Sequence, residues 1–274
     1  GVTVDLGIDG VQQSISTSAG SDTLVGIENV IGSSKADTFK GNNAVSNIFN
    51  GGTSNLDAAL NSTTGEFTSD ESDTVDYSSS TSSIVVNLNA NNVVIGGTVT
   101  DYLYNIEHVI GTAQDDTFTG NSDNNSLVGG AGNDTFYIID VNNGNDVIEG
   151  DTSAGNVGLR DTIDYSAISN TYYLDANLAN NTLVIKQTSD STSVDSDTVN
   201  NIEDIVGTAG KDIIRGNDSK NILSGAEGTD TIYGEAGNDV IYGGNNTDNS
   251  TTATTYELLD GGAGDDTIYG GAGN

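Results

Sequence analysis

The feature that most constrains this chain is a register of nine. Counted from Gly207, the sequence divides into GTAGKDIIR, GNDSKNILS, GAEGTDTIY, GEAGNDVIY, GGNNTDNST, TATTYELLD, GGAGDDTIY and a shortened last unit, GGAGN. The sixth place reads Asp212, Asn221, Asp230, Asp239, Asp248, Glu257 and Asp266, so an oxygen-bearing side chain recurs without a break. The eighth place is apolar in every unit except at Ser250. A unit with so few apolar residues buries nothing alone, and only stacking on its neighbours gives it a core. The period therefore predicts a solenoid.

A longer repeat encloses the short one. DTVDYSSSTSSIVVNLNANN from Asp73 answers DTIDYSAISNTYYLDANLANN from Asp161, 88 residues on, and GVTVDLGIDG at the start matches the second half of both. Each is followed by a shared block: GIENVIGSSKADTFKGNN from Gly26, NIEHVIGTAQDDTFTGNS from Asn105 and NIEDIVGTAGKDIIRGND from Asn201. This predicts a first module over 1–72 that is cut at its front. A second module spans 73–160 with nonads over 111–149, and a third spans 161–274 with its array over 207–274. GGAGNDTFY (129–137) is a full nonad, and VNNGNDVIE (141–149) is a looser one. Between nonads, TVDYS, SIVVNL, NNVVI, TYYLDANL and TLVIK alternate and are rich in β-branched and aromatic residues, the signature of short strands. Nothing has the period of a long amphipathic helix. The inserts 53–72, 187–197 and 245–255 read as polar loops.

Charge then bounds the partners. The chain has 40 acidic and 7 basic residues, a net charge of −33. Such a field repels nucleic acid and anionic lipid, and drives a compact state apart unless a cation is bound. The same composition suits disorder, but a register kept through the array argues against it. Without cysteine there is no disulfide framework, so packing or metal must supply extracellular stability. No apolar run approaches the roughly 18 residues of a membrane span, and the first residues do not form a signal peptide. The chain has no methionine. We therefore expect a processed piece or part of something longer, with room for a targeting signal outside it. GGAGN stops one residue short of the next Asp, so the solenoid is expected to continue.

In GGAGNDTFY the first six residues turn the chain and the last three form a strand with Phe136 inward. Gly129, Gly130 and Gly132 allow backbone angles barred to other residues and let carbonyl oxygens approach an ion. Asp134 adds a carboxylate. A hard cation held by oxygens is Ca²⁺ rather than zinc, which takes His or Cys, and the chain has a single His. If two turns make one circuit, turns eighteen residues apart stack: Asp116 with Asp134, Asp212 with Asp230, Asn221 with Asp239, Asp230 with Asp248 and Asp248 with Asp266. The candidate metal-binding residues are Asp116, Gly130, Gly132, Asp134, Asp146, Asp212, Gly228, Asp230, Gly237, Asp239, Asp248, Gly264 and Asp266. Asn125 and Asn221 are weaker ligands, and Glu257 lies in a turn without glycine and is left out.

These units resemble the glycine-rich nonapeptides of the RTX (repeats-in-toxin) proteins, with pattern G-G-x-G-x-D-x-U-x. The larger modules are similar to repeats of long RTX adhesins and surface-layer proteins. The resemblance implies an all-β fold, a parallel β-roll or β-solenoid binding several Ca²⁺ ions. It further implies secretion by a type I apparatus to the cell surface of a Gram-negative-type bacterium. Partners would be other copies of the chain or cell-surface components, with no nucleic acid and no membrane insertion. The alternative is the calcium-binding portion of a secreted protease or lipase whose catalytic domain lies elsewhere.

No enzymatic motif competes. His108 is replaced by Asn29 and Asp204 in the sister modules, which speaks against a general base. No H-E-x-x-H, G-x-S-x-G or P-loop pattern occurs, and no carboxylate pair stands apart from the repeats. Tyr137, Tyr233, Tyr242 and Tyr269 form a stripe at the ninth place that reads as cover for rung edges. Thr117, Thr135, Thr231 and Thr267 recur at the seventh, where an ice- or sugar-binding face would use them, but their acidic neighbours favour an ion.

Overall fold

A computed structural model describes residues 1–8, 10–16, 20–41, 43–52, 72–141, 144–151, 159–245 and 257–272. Within these, the chain is all β and forms a parallel β-solenoid. Two twelve-stranded sheets carry it, with one separate hairpin of Gln12–Ser16 and Gly20–Thr23. Most rungs are three residues long with a buried centre, as at Thr117–Thr119, Thr135–Tyr137, Ile213–Arg215 and Thr231–Tyr233. The period of nine explains this. A single apolar residue per unit can face inward, and Phe118, Phe136, Ile214 and Ile232 are each fully buried. The central residues of both sheets join one apolar cluster. Phe39 of one sheet stacks on Phe49 of the other, centroids 5.5 Å apart.

From Asn29–Ile31 onward the chain crosses to the opposite sheet after every rung. Two crossings make a circuit, so Thr117 pairs in parallel with Thr135, Ile213 with Thr231 and Ile222 with Val240, each eighteen residues on. The array departs from that spacing once. Thr231 pairs with Leu258 and Val240 with Thr267, 27 residues on. The rung above Asp230 is therefore preceded by Glu257, and Asp266 follows Asp239. This corrects the expected stacking of Asp248 between Asp230 and Asp266. Asp248 itself lies outside the described residues.

The larger modules are antiparallel meanders set into the parallel stack. Ile84–Asn87, Asn92–Ile95 and Val99–Tyr104 form one, and Tyr172–Asn177, Thr182–Gln187 and Ser193–Asn200 the other. Their outer strands run parallel to the neighbouring rungs: Val85 pairs with Thr117, Tyr102 with Ile48, Asp175 with Ile213 and Thr198 with Val147. Three strands are the smallest number that leaves the direction of the chain unchanged, since a hairpin alone would return it reversed. Asn91 and Asn181 make the first turn of each meander at φ 55° and 58°, a conformation asparagine tolerates better than most residues. The segment 187–197, expected as a loop, is mostly strand. Ser193, Asp195, Ser196 and Asp197 pair with the preceding strand, with Val194 at the register shift between them, and the polar composition hid that pattern. The inserts 53–72 and 245–255 fall almost wholly outside the described residues. Asn245 is described and belongs to the stack, bridging Glu227 and Ala272.

Candidate cation sites in the turn ladders

Each rung is entered through the residue at the sixth place of its turn, and these residues form two ladders, one along each sheet. Along one, the N–H of Asp37 donates to Oδ1 of Asp73 at 2.7 Å and that of Asn125 to Oδ1 of Asp146 at 2.8 Å. The N–H of Asp146 donates to Oδ1 of Asp197 at 3.0 Å, and that of Asp212 to Oδ1 of Asp230 at 2.9 Å. Along the other, Asp116 donates to Asp134 and Asp134 to Asp161, both at 2.7 Å. Asn221 donates to Asp239 at 2.8 Å and Asp239 to Asp266 at 2.9 Å. Every such carboxylate thus spends its first oxygen on the backbone of the adjacent rung.

The second oxygen distinguishes the turns. Oδ2 of Asp116 accepts the N–H of Thr112 at 2.6 Å, and Oδ2 of Asp212 accepts that of Thr208 at 2.6 Å. Both threonine hydroxyls also donate to Oδ1, at 3.0 and 2.7 Å. In the meanders a phenol does this work: Tyr77 donates to Oδ2 of Asp101 and Tyr165 to Oδ2 of Asp197, each at 3.0 Å. By contrast, Oδ2 of Asp134, Asp161, Asp230 and Asp239 is buried with no hydrogen-bond partner. An anionic oxygen in that position is costly unless something cationic meets it.

Burial accordingly pushes Asp134 up to about 7 and Asp161 and Asp230 up to about 8, and raises Asp239. It also raises Asp116 and lifts Asp212 to about 7 against the pull of their hydrogen bonds. Titration alone therefore does not separate the two kinds of turn; the partner of Oδ2 does.

Glycine makes room for more oxygen at the first place of open and closed turns alike, since a Cβ at Gly207 would stand 2.3 Å from Oδ2 of Asp212 and 3.1 Å from the carbonyl oxygen of Gly225. A Cβ at Gly225 would stand 2.1 Å from Oδ2 of Asp230 and 2.8 Å from the carbonyl oxygen of Gly243. At Gly234 it would stand 2.4 Å from Oδ2 of Asp239 and 2.5 Å from the carbonyl oxygen of Gly261. A carboxylate oxygen and a carbonyl of the next rung thus converge where a side chain would be. Farther along the turns, Gly130, Gly132, Gly228, Gly237 and Gly264 have φ of 115°, 134°, 124°, 132° and 142°. Gly129 is not left-handed; it is needed because Oδ2 of Asp134 would lie 2.2 Å from its Cβ. Among the described residues no three acidic or histidine side chains group closely enough to hold a metal by themselves. Any ion at these turns must draw on main-chain oxygens, as the hard-cation chemistry of calcium permits.

A family model for the RTX calcium-binding nonapeptide repeat matches the sequence in four copies, over 105–137, 197–232, 216–249 and 257–274. Within those segments the chain is similar to the RTX calcium-binding nonapeptide repeat. These RTX segments take in Asp134, Asp230, Asp239 and Asp266, together with the closed turns of Asp116 and Asp212. Asp146, in the looser unit, is buried in the same ladder but falls outside the matches. No curated protein matches the chain.

Asp161 and Glu257, which are not among the candidate metal-binding residues, also bury a carboxylate oxygen without a partner. Asp161 opens a module instead of a nonad, yet Asp-Thr-apolar recurs at Asp22, Asp37, Asp73, Asp116, Asp134, Asp161, Asp197, Asp230 and Asp266. Asp22 lies in the separate hairpin and the other eight lie in the ladders, which also hold Asp146, Asp212 and Asp239 without the threonine. Glu257 lies in a unit without glycine. It is held instead by the pairing of Leu258 with Thr231, and its Oε1 is buried without a partner.

His108 packs in the ladder sheet with Nδ1 3.3 Å from the hydroxyl of Thr74, and burial lowers its pKa. Tyr137, Tyr242 and Tyr269 are exposed, and the last two stack with centroids 5.0 Å apart.

Proposed function

We propose that this chain is a non-enzymatic, calcium-binding structural region of a secreted bacterial cell-surface protein, an adhesin, surface-layer subunit or matrix fibre, which folds on meeting extracellular Ca²⁺. The observation that carries the reading is the unpartnered, buried Oδ2 of Asp134, Asp230 and Asp239. Those carboxylates, with Asp266 continuing the ladder and carbonyls exposed by the turns of Gly130, Gly132, Gly228, Gly237 and Gly264, would hold the ions. Asp146 and Asp248 are further ladder or array acids proposed for the same role. When bound, calcium supplies positive charge to oxygens that have no other donor.

Before export the carboxylates repel, and the chain stays open. Outside, ions that bind the folded turns alone draw the equilibrium over by mass action. Extracellular calcium modules work at roughly 10⁻⁴ to 10⁻³ M, which suits such a switch. Alternation of nonads with whole meander modules favours a surface protein over the tail of a secreted enzyme.

Circular dichroism in millimolar Ca²⁺ and after EGTA tests the switch. Strand signal in calcium and coil after chelation is expected, and a chain equally folded in both would refute it.

A further inference from the structure

The two kinds of turn differ first in the backbone of their second residue. Gly130, Ala226, Glu235 and Gly262 hold that place at φ 115°, 63°, 73° and 84°; Ser33, Thr112, Asn121, Thr208 and Asn217 hold it outside the left-handed region. The consequence for the amide is direct. In these five turns the second N–H points to the sixth side chain: Ser33 to Asp37 at 2.5 Å, Asn121 to Asn125 at 2.8 Å and Asn217 to Asn221 at 2.9 Å, as for the two threonines. The longer turn from Gly150 to Asp161 does not follow the rule, since Asp151 is not left-handed and Oδ2 of Asp161 still has no partner. Where φ is left-handed, the amide turns outward. Ala226 donates to the hydroxyl of Ser224 at 3.3 Å and Gly262 to Oδ1 of Asp260 at 3.1 Å. The inner oxygen is then left alone. Threonine, branched at Cβ, strongly resists positive φ, so its presence at the second place commits a turn to the closed form.

We infer that the second residue of each nonad turn decides whether its aspartate takes a calcium ion: Thr112 and Thr208 close Asp116 and Asp212 with hydrogen bonds that replace the cation, whereas Gly130, Ala226 and Glu235 leave Asp134, Asp230 and Asp239 open to it. The inference rests on the calcium reading above and refines it, because it removes Asp116 and Asp212 from the ligands that a count in nines assigns. Rungs with threonine at this place then stack without metal, and the solenoid is a mixture of ion-held and self-closed turns. In this chain the test position is Thr208, since GTAGKDIIR becomes a full match to the nonad pattern on changing that one residue.

The experiment measures Ca²⁺ bound per chain by equilibrium dialysis, with circular dichroism at saturating calcium to establish folding. Asp230→Asn is expected to lower the number bound, Asp212→Asn to leave it unchanged, and Thr208→Gly to raise it by one ion. A gain cannot arise from misfolding. Loss of as many ions from Asp212→Asn as from Asp230→Asn, or no gain in Thr208→Gly, would overturn the rule for the second residue. Absence of calcium binding by the unaltered chain would instead sink the reading on which the rule stands.

Discussion

The backbone N–H of Asp212 donates to Oδ1 of Asp230, 2.9 Å away and one circuit further along the solenoid. A side chain of one rung therefore completes the backbone of the rung before it, and neither is satisfied alone. Interfaces of this kind make a repeat protein stable through its nearest neighbours. They also place the charge of each rung in the dry space between two.

Acid should substitute in part for calcium. The carboxyls of Asp134, Asp161 and Asp230 are lifted by burial to about 7 or 8 in the folded chain, against about 4 when unfolded. Folding thus favours the protonated form. Its stabilising contribution is complete below the unfolded value and is lost as pH rises through 7 to 8. After chelation, lowering the pH from about 8 to about 5 is expected to restore strand signal in circular dichroism; a metal-free chain less structured at the lower pH would contradict this.

The aromatic core offers a test independent of metal. Phe136 is fully buried, and its ring lies 4.9 Å from that of Phe118 in the next rung. Phe136→Ala is expected to cost about 3–5 kcal/mol through lost burial and a cavity, read from denaturant unfolding in saturating calcium.

Gly132→Ala strikes the turn itself. The residue has φ 134°, and a Cβ there would stand 2.6 Å from the carbonyl oxygen of Gln114. The variant should lose more than about 1 kcal/mol of stability, and a higher calcium concentration should be needed for half-folding. An unchanged midpoint in a calcium titration would count against the turn as a site.

Tyr165→Phe removes the one donor shown to Oδ2 of Asp197. Burial already lifts that carboxyl to about 6, so at neutral pH a buried charge is left uncompensated. A loss of about 1–3 kcal/mol is expected, with Tyr77→Phe behaving alike at Asp101. Unfolding at two pH values would check both, the loss being smaller in acid because the stranded carboxylate can protonate.

What the sequence made legible follows from local geometry. One inward residue per nine located Phe118, Phe136, Ile214 and Ile232, and the same count anticipated the approach of Asp116 to Asp134 and of Asp212 to Asp230. It failed where the number of residues between rungs changes, as between Val240 and Thr267, because pairing follows strands and a loop in between alters the count without altering the stack. It also failed at Ser193 to Asp197, where mostly polar side chains occupy a strand. The state of Asp212 could not be read from its own position. Thr208, four residues earlier, decides it through the sign of one dihedral angle.

The meanders have a consequence for how the chain presents itself. Seven crossings separate the meander at Ile84–Asn87 from that at Tyr172–Asn177, an odd number, and the two therefore lie in opposite sheets. Thr3–Asp5, which begins the corresponding part of the first module, shares its sheet with Tyr172–Asn177. Modules that are alike in sequence thus show their broad surfaces alternately left and right, like leaves on a stem. A ligand that recognises one such surface would meet its equivalent on the same side only at every second module, and a bridging molecule would have to span that doubled interval.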